Sequence, residues 1–405
     1  MPEAVIVATA RSPIGRAFKG SLRDIRPDDL AAQMVRAALD KVPQLDPREI
    51  DDLMLGCGQQ AGVSGFNLAR VVAVLAGMDH LPGVTVNRLC SSSLQTTRMA
   101  LHAIKAGEGD VFISAGVETV SQYGKGNADV RPDTVNPAFA AAQLRTEEFA
   151  AGGRTWADPR GQGALPDVYI AMGHTAENVA QLCGIGREEQ DAFALRSQHR
   201  TENAIAGGFW AKDITPVTLA DGTAVTQDDG PRAGMSMEAL AALQPAFRPD
   251  GTVTAGNCCA LNDGAAAVVI MSDTKARAAG IPPLARIVST GVSGLSAEIM
   301  GLGPVAASRR ALARAGLTVG DIDLVEINEA FAAQVIPSAR QLGIDEEKLN
   351  VHGGAIAVGH PFGMTGARIT CTLINSLQHH DKQLGLETMC VGGGQGMAMV
   401  LERLS

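Results

Sequence analysis

Cys90 in Val86-Asn87-Arg88-Leu89-Cys90-Ser91-Ser92-Ser93-Leu94, Asn328 in Asn328-Glu329-Ala330-Phe331, His360 in Gly359-His360-Pro361 and Cys390 in Cys390-Val391-Gly392-Gly393-Gly394 lie far apart in the chain. Their types nevertheless belong together: a nucleophile, a base that works near neutral pH and a second thiol, each beside small residues that leave room for a ligand. Such a set suits covalent catalysis on an acyl thioester. Cys90 follows a strand-like run and opens a helical one, so its sulfur is expected near unpaired backbone N–H groups at the positive end of a helix dipole, where a thiol pKa falls. Taken singly, Cys90 is read equally well as a buried structural cysteine and His360 as a structural histidine. Gly392 to Gly394 read as a tight turn or a weak dinucleotide fingerprint, and no strand-turn-helix context supports the second.

The elements that must position these residues alternate along most of the chain. Strand-like runs at Val5 to Thr9, Leu53 to Leu55, Val84 to Asn87 and Val111 to Ser114 are separated by helical patterns from Asp28 to Lys41, Leu68 to Ala76 and Ser91 to Ala106. In the first helix Leu30, Met34, Val35, Ala38 and Leu39 recur at near-helical spacing behind Pro27. The alternation predicts an α/β fold.

The second half repeats the first: Glu49-Ile50-Asp51-Asp52-Leu53-Met54-Leu55-Gly56 resembles Asp321-Ile322-Asp323-Leu324-Val325-Glu326-Ile327-Asn328. At nearly the same offset the segment from Cys90 to Arg98 falls opposite Gly363-Met364-Thr365-Gly366-Ala367-Arg368. A duplicated α/β unit is therefore expected, with equivalent helix starts around one centre. The stretch from Thr119 to Asp250 breaks the pattern. It holds a long polar, Gly/Pro-punctuated run from Gln122 to Pro166, then helices near Thr175 to Leu182 and Glu188 to Ile205, and reads as an inserted domain over the site that carries oligomer contacts.

Composition narrows the partners. With 405 residues, 46% of them apolar and 19% charged, the chain reads as an ordinary soluble globular protein of two or three domains. A net charge of −9 and a pI near 5.4 disfavour nucleic acid or an anionic membrane. The longest apolar runs, such as Ala265 to Met271, are strand-sized. The opening residues enter a strand-like run at once with no basic segment ahead of it, so a cytoplasmic place is expected. Seven cysteines without a Cys-x-x-Cys pair predict reduced thiols rather than disulfides or a zinc site, with Cys57, Cys183 and Cys371 as buried packing residues. Aromatics at 3% against 46 glycines point to a core of small aliphatic side chains and closely approaching backbones.

The segments around Cys90, Asn328, His360 and Cys390 resemble the four sequence fingerprints of the thiolase family, in family order and at similar spacing. The likeness extends to Val5-Ile6-Val7-Ala8-Thr9-Ala10-Arg11-Ser12-Pro13-Ile14-Gly15, to Met172-Gly173-His174-Thr175-Ala176-Glu177-Asn178 and to Gly251-Thr252-Val253-Thr254-Ala255-Gly256-Asn257, and so covers nearly the whole chain. The resemblance implies a thiolase fold: two duplicated α/β halves in an αβαβα sandwich, with 1–118 plus 251–273 and 274–405 as the halves and 119–250 as the inserted loop domain.

It also implies roles. Cys90 takes the acyl group, His360 activates it, Cys390 moves a proton to or from the acetyl α-carbon, and Asn328 holds a water that, with the histidine, stabilises an enolate oxygen. The backbone N–H groups of Cys90 and Gly392 form a second oxyanion hole. Coenzyme A and acyl-CoA are the implied partners, with CoA a substrate rather than a tightly bound cofactor. Arg232, fifteen residues before Phe247, matches a nucleotide-contacting arginine. Met172 and Met300 match positions that line the acyl and pantetheine pocket. A homodimer or homotetramer is expected.

Several positions depart from the family pattern. Ser93 puts a side chain where members usually have glycine, and Cys258-Cys259-Ala260 follows Asn257 where members commonly read x-Ser-Gly, so that Cys259 stands for a hydroxyl that contacts pantetheine. His352 stands where many members have asparagine. Ala171 stands where biosynthetic acetoacetyl-CoA thiolases have histidine, which leaves room for longer acyl chains. A carrier-dependent ketoacyl synthase would carry a second histidine in place of Cys390, and a non-catalytic CoA-binding or lipid-carrier relative would have lost the nucleophile.

Overall fold

The computed structural model describes residues 2–125 and 134–405. Among them the main strands are β1 Ala4–Arg11, β2 Asp52–Gly56, β3 Gly83–Val86, β4 Val111–Thr119, β5 Asn262–Ser272, β6 Ala285–Gly294, β7 Leu324–Ile327, β8 Leu384–Val391 and β9 Gln395–Arg403. They form one sheet in the order β7-β8-β9-β6-β1-β5-β4-β2-β3, with the two-residue strand Gly15–Arg16 beside the start of β5. β1, β4 and β5 are buried along their whole length, as strands covered on both faces must be, and accordingly their middles are nearly continuous apolar runs.

The duplication is visible in the pairing. In the first half β1 runs antiparallel to β5, β5 antiparallel to β4, β4 parallel to β2 and β2 parallel to β3. In the second β6 is antiparallel to β9, β9 antiparallel to β8, β8 parallel to β7, and β7 makes a parallel bridge at Leu349. Within the sheet, among the described residues, the halves pair only at Val5↔Arg286 and Ile6↔Ala285. One pair of the matched aspartates even repeats its hydrogen bonds: Asp51 Oδ2 accepts from the N–H groups of Asp110 and Val111, and Asp323 Oδ2 from those of Gln383 and Leu384. Each pins the start of the neighbouring strand.

Helices α1 Pro27–Leu39 and α2 Leu68–Leu75 cover the outer face of the first half, where Leu30, Met34 and Val35 pack with Leu53, Leu55 and Val72. The inserted region supplies α4 Ala140–Ala150, α5 Met172–Cys183 and α6 Arg187–Ala206. Helices α7 Gly303–Ala315 and α8 Ala332–Leu342 cover the second half, where Ala307 and Val335 pack with Val400 and Leu386. Between the halves lie α3 Ser92–Ala106 and α9 Thr365–His379, with Leu94, Ile104, Ile369 and Leu373 among strand residues of both. The result is the expected five-layered αβαβα arrangement.

Some elements depart from expectation. The stretch from Gln122 to Pro166 contains α4, which the periodicity did not reveal because Ala142 is its one buried residue; residues 126–133 of that stretch lie outside the described residues. The central helix begins at Ser92 rather than Ser91, after a tight turn over Leu89–Ser91. The strand expected at Val111 to Ser114 continues to Thr119. Cys57 and Cys371 are buried as expected, whereas Cys183 is only half-buried.

The starts of α3 and α9 touch backbone to backbone. A Cβ on Gly366 would stand 2.2 Å from Leu94 N, and one on Gly116 would stand 2.2 Å from Gly363 O and 2.5 Å from Ser93 Cβ. Ser93, the departure from glycine, fits because Gly116 opposite it has no side chain. Its hydroxyl accepts from Ala367 N–H at 2.9 Å, partnering one of the unpaired donors at the start of α9. Ser93→Ala should therefore cost about 1–2 kcal/mol, the usual toll of an orphaned buried N–H. Gly116→Ala should cost about 1–3 kcal/mol through overpacking. Urea unfolding of the two variants checks both values, and a wild-type midpoint for Ser93→Ala would remove this bond from the account of the centre.

Candidate active site

Cys90 sits on the turn that links β3 to α3. Leu89 before it has a φ of 45°, a left-handed conformation that a leucine resists. Asn87 Oδ1 holds it by accepting from Leu89 N–H at 2.7 Å, while the Ser92 hydroxyl accepts from Arg88 N–H and donates to Leu89 O. The turn carries the buried sulfur to the β8–β9 turn, where the backbone N–H groups of Gly392 and of Cys90 itself point at it. Those donors favour a thiolate, but burial outweighs them and, helped slightly by Glu118, pushes the Cys90 thiol up to about 11. The expected depressed pKa is thus corrected: Cys90 rests as a thiol, because desolvation exceeds the pull of the helix start.

The segment from Gly359 to Thr365 orients His360. Gly359 has a φ of 115° and would meet the Asn262 side chain at 2.7 Å if it carried a Cβ. Asn262 Oδ1 accepts from His360 N–H at 2.9 Å. The Thr365 hydroxyl donates to Pro361 O at 2.7 Å, so its lone pair faces His360 Nδ1 at 2.6 Å and that nitrogen carries the ring proton. Nε2 is left as a buried acceptor with no protein partner among the described residues. Burial, and then the positive charge of the buried Arg368, push the imidazole down to about 3. It rests neutral, in the form a base requires.

Cys390 ends β8, wholly buried, just before a hairpin turn in which Gly393 and Gly394 have φ of 72° and 81°. The glycine run is thus a tight strand-to-strand turn, not a nucleotide loop. Burial drives the Cys390 thiol well above its ordinary range, and a charge on neighbouring Cys90 would raise it further. Met172 and Met300 pack in one cluster with Cys390, Ala330 and Phe331. Asn328 follows β7, donates from its backbone to Thr388 O at 3.0 Å, and buries both side-chain amide atoms without a protein partner among the described residues. Such orphaned polar atoms cost free energy and mark places where a reacting group is received.

The fingerprints place Cys90, Cys390, Gly392, Met172 and Met300 in one neighbourhood. Cys259 joins it: after burial, the main causes raising its thiol are charges on Cys258, Cys90 and Cys390. Cys258, not Cys259, lines a constricted channel of only about 20 Å³ with Asn262, Gly359, Ile356, Arg16 and Arg232. The channel leads from the His360 segment out to the two arginines. There it meets a wider bowl of about 560 Å³ with which it shares Gln198 and Arg232. Arg232 thus stands where channel and bowl meet, near enough to Cys258 for its charge to act on that thiol.

Four positioning residues escaped the sequence analysis. Buried Glu329 accepts from Ser197 Oγ at 2.6 Å, Asn350 Nδ2 at 2.8 Å and Ile356 N–H at 3.2 Å, tying α6 and the approach to His360 to the Asn328 segment. Buried Glu118 accepts from the N–H groups of Gly58 and Gly363, so it joins the two halves beside Cys90. Asn262 and Thr365 orient His360. All four lie inside or beside quoted motifs, but only contacts between distant segments give them work.

With this geometry established, comparison with known proteins is specific. Residues 4–274 match the model of the thiolase N-terminal domain and residues 281–403 that of the thiolase C-terminal domain. The 3-ketoacyl-CoA thiolase of Shewanella oneidensis is 45% identical over 414 residues, covering all of both chains, and that of Shewanella sp. strain MR-7 is equally similar. Among solved structures, the Bacillus anthracis acetyl-CoA acetyltransferase superposes with a TM-score of 0.87 at 38% identity, over 100% of this chain and 99% of that one. Human mitochondrial 3-ketoacyl-CoA thiolase gives 0.87 at 35% identity with the same coverage. On the strength of both domains and of relatives matched end to end, the chain belongs to the thiolase family.

Proposed function

We propose that this enzyme is an acyltransferase that cleaves a 3-oxoacyl-CoA with CoA to acetyl-CoA and a shortened acyl-CoA, or runs the reverse Claisen condensation. The observation that carries the reading is a buried neutral thiol facing the Gly392 N–H with a second buried thiol beside it, and a neutral imidazole presenting a bare Nε2.

In thiolysis Cys90 passes its proton to His360 Nε2 as the sulfur attacks the 3-oxo carbon. The oxyanion that forms is received by the N–H groups of Cys90 and Gly392. The bond between carbons 2 and 3 then breaks, leaving the acyl group on Cys90 and an acetyl-CoA enolate whose oxygen His360 and Asn328 stabilise. Cys390, a thiol whose raised pKa keeps it protonated, gives its proton to the enolate carbon. After acetyl-CoA leaves, a CoA thiol gives its proton to the Cys390 thiolate and attacks the acyl-enzyme, expelling the Cys90 sulfur, which takes back the proton held on His360. Condensation is the same sequence reversed.

CoA is accordingly a substrate, with its nucleotide phosphates at Arg232 and Arg16, beside the wider bowl of about 560 Å³. Both arginines line the channel, and Asp229 fixes its approach by accepting from the N–H groups of Arg16 and Ser21. We also propose a homodimer or homotetramer, supported by β3, an edge strand flanked by the 95%-exposed Phe66 and by exposed Val84. A cytoplasmic site agrees with seven unpaired cysteines; no helix among the described residues is long and apolar enough to cross a membrane.

Two experiments test this reading. Incubation with acetyl-CoA should add an acetyl mass to the Cys90 peptide. Cys390→Ala should still acylate there, yet lose thiolysis and exchange of acetyl-CoA α-protons with deuterium by about 10²-fold or more. Label on Cys390, or exchange at wild-type rate in Cys390→Ala, contradicts the assignment. Arg232→Ala should raise KM for CoA with a smaller change in kcat, because a contact far from the reacting atoms supplies uniform binding. An equal rise for a thiol lacking the nucleotide would place the phosphates elsewhere.

A further inference from the structure

Three histidines of the second half take no part in the acyl chemistry. His352 lies in the turn ahead of the short helix Ala355–Val358, and His379 and His380 close the C-terminal end of α9. Their ring centroids stand 5.2, 5.0 and 4.9 Å apart, and one ligand nitrogen from each ring lies within 4.8 Å of the other two. His352 Nε2 faces His380 Nε2 at 3.2 Å. Two imidazoles on one tetrahedral zinc, each bonded at about 2.0–2.1 Å, hold their nitrogens about 3.3 Å apart. Two of the three rings therefore already stand at the separation that one ion demands. His379, exposed at the helix end, brings a ligand nitrogen within 4.8 Å of both.

The cluster is also prepared mechanically. His352 is buried and stacks face to face on Phe209 at 3.5 Å with an interplanar angle of 12°, while Phe209 meets His379 edge-on at 5.8 Å. Arg200 and Lys382 stand near enough to act on these rings, and no carboxylate belongs to the set. A hard, oxygen-seeking cation such as calcium or magnesium gains nothing there, whereas imidazole nitrogen suits zinc, copper or nickel.

We propose that His352, His379 and His380 form a binding site for a borderline divalent transition-metal ion, with three imidazole ligands and a fourth position open to solvent. The ion would clamp the end of the central helix α9 to the turn that leads, eight residues later, into His360. Because Glu329 grips the same turn through Asn350 and Ile356, metal binding would stiffen the approach to the catalytic base from its second side.

The test uses the full-length chain without an affinity tag, stripped with a chelator and titrated with cobalt(II). One equivalent should give the visible bands of tetrahedral cobalt without the near-ultraviolet charge-transfer band of a cobalt thiolate. The double variant His379→Gln/His380→Gln alters exposed residues only and should weaken binding by at least about tenfold, since loss of even an outer partner of a ligand costs roughly 10- to 100-fold. Absence of the bands, a thiolate charge-transfer band in their place, or bands undiminished in the double variant would each overturn the site and leave the Nε2 contact as a plain imidazole hydrogen bond.

Discussion

The close approach of two helix starts is the constraint on which the rest depends. α3 and α9 come from different halves, yet at Gly366 and Leu94 their backbones leave no space for a methyl group. This approach brings the Cys90 turn and the His360 segment to one place, each on a loop that ends in its own helix. Packing this tight is why the chain needs glycine on both sides of the seam and why a core poor in aromatics serves it. A single methylene at the seam would move a reacting group, and displacement of about 1 Å is enough to cost a large part of a catalytic rate.

Burial at this seam sets the electrostatics. Isolated helix starts lower thiol pKa values, but here desolvation wins and both catalytic thiols are protonated while the imidazole is neutral. No charge is stored in the reactive trio at rest. On the proposed reading, charge appears when the substrate carbonyl becomes an oxyanion, which the N–H groups of Cys90 and Gly392 would receive in a medium that screens little. The arrangement is selective by construction. A bare thiol reagent gains little from it, whereas a thioester carbonyl placed against those donors gains a great deal.

The sequence revealed the α/β class and the duplication, and singled out four candidate reacting residues, because each leaves a local mark: a period, a repeated phrase, a cysteine before a helix. The match of Asp51 with Asp323 had a physical cause, since both aspartates hold the start of an adjacent strand. What stayed hidden depends on contacts between distant segments. Helix α4 buries too little to show a period. Ser93 looked like a defect because the space opposite it, at Gly116, is 23 residues away in sequence and visible only once β4 is laid under α3. The thiol pKa was misjudged because local sequence reports the helix start but not the depth of burial. His352 is separated from His379 and His380 by the length of α9, and no spacing rule for metal ligands spans such a gap.

Two of the buried ties that fix the inserted region to the core bear on how binding energy is used. Buried Arg11, on the first strand, pairs with Asp213 at 2.7 Å and also with Asp228, so the chain leading to Arg232 leaves from an anchored point. Glu329 holds α6 through Ser197 at the other end of the same region. Breaking either buried pair would strand a charge, so these ties resist opening far more than surface ion pairs do. On the proposed reading, a CoA nucleotide held at Arg232 and Arg16 would fix the pantetheine thiol relative to the acyl-enzyme. Contacts made far from the reacting carbon thereby supply orientation, which is the form in which remote binding energy reaches a chemical step.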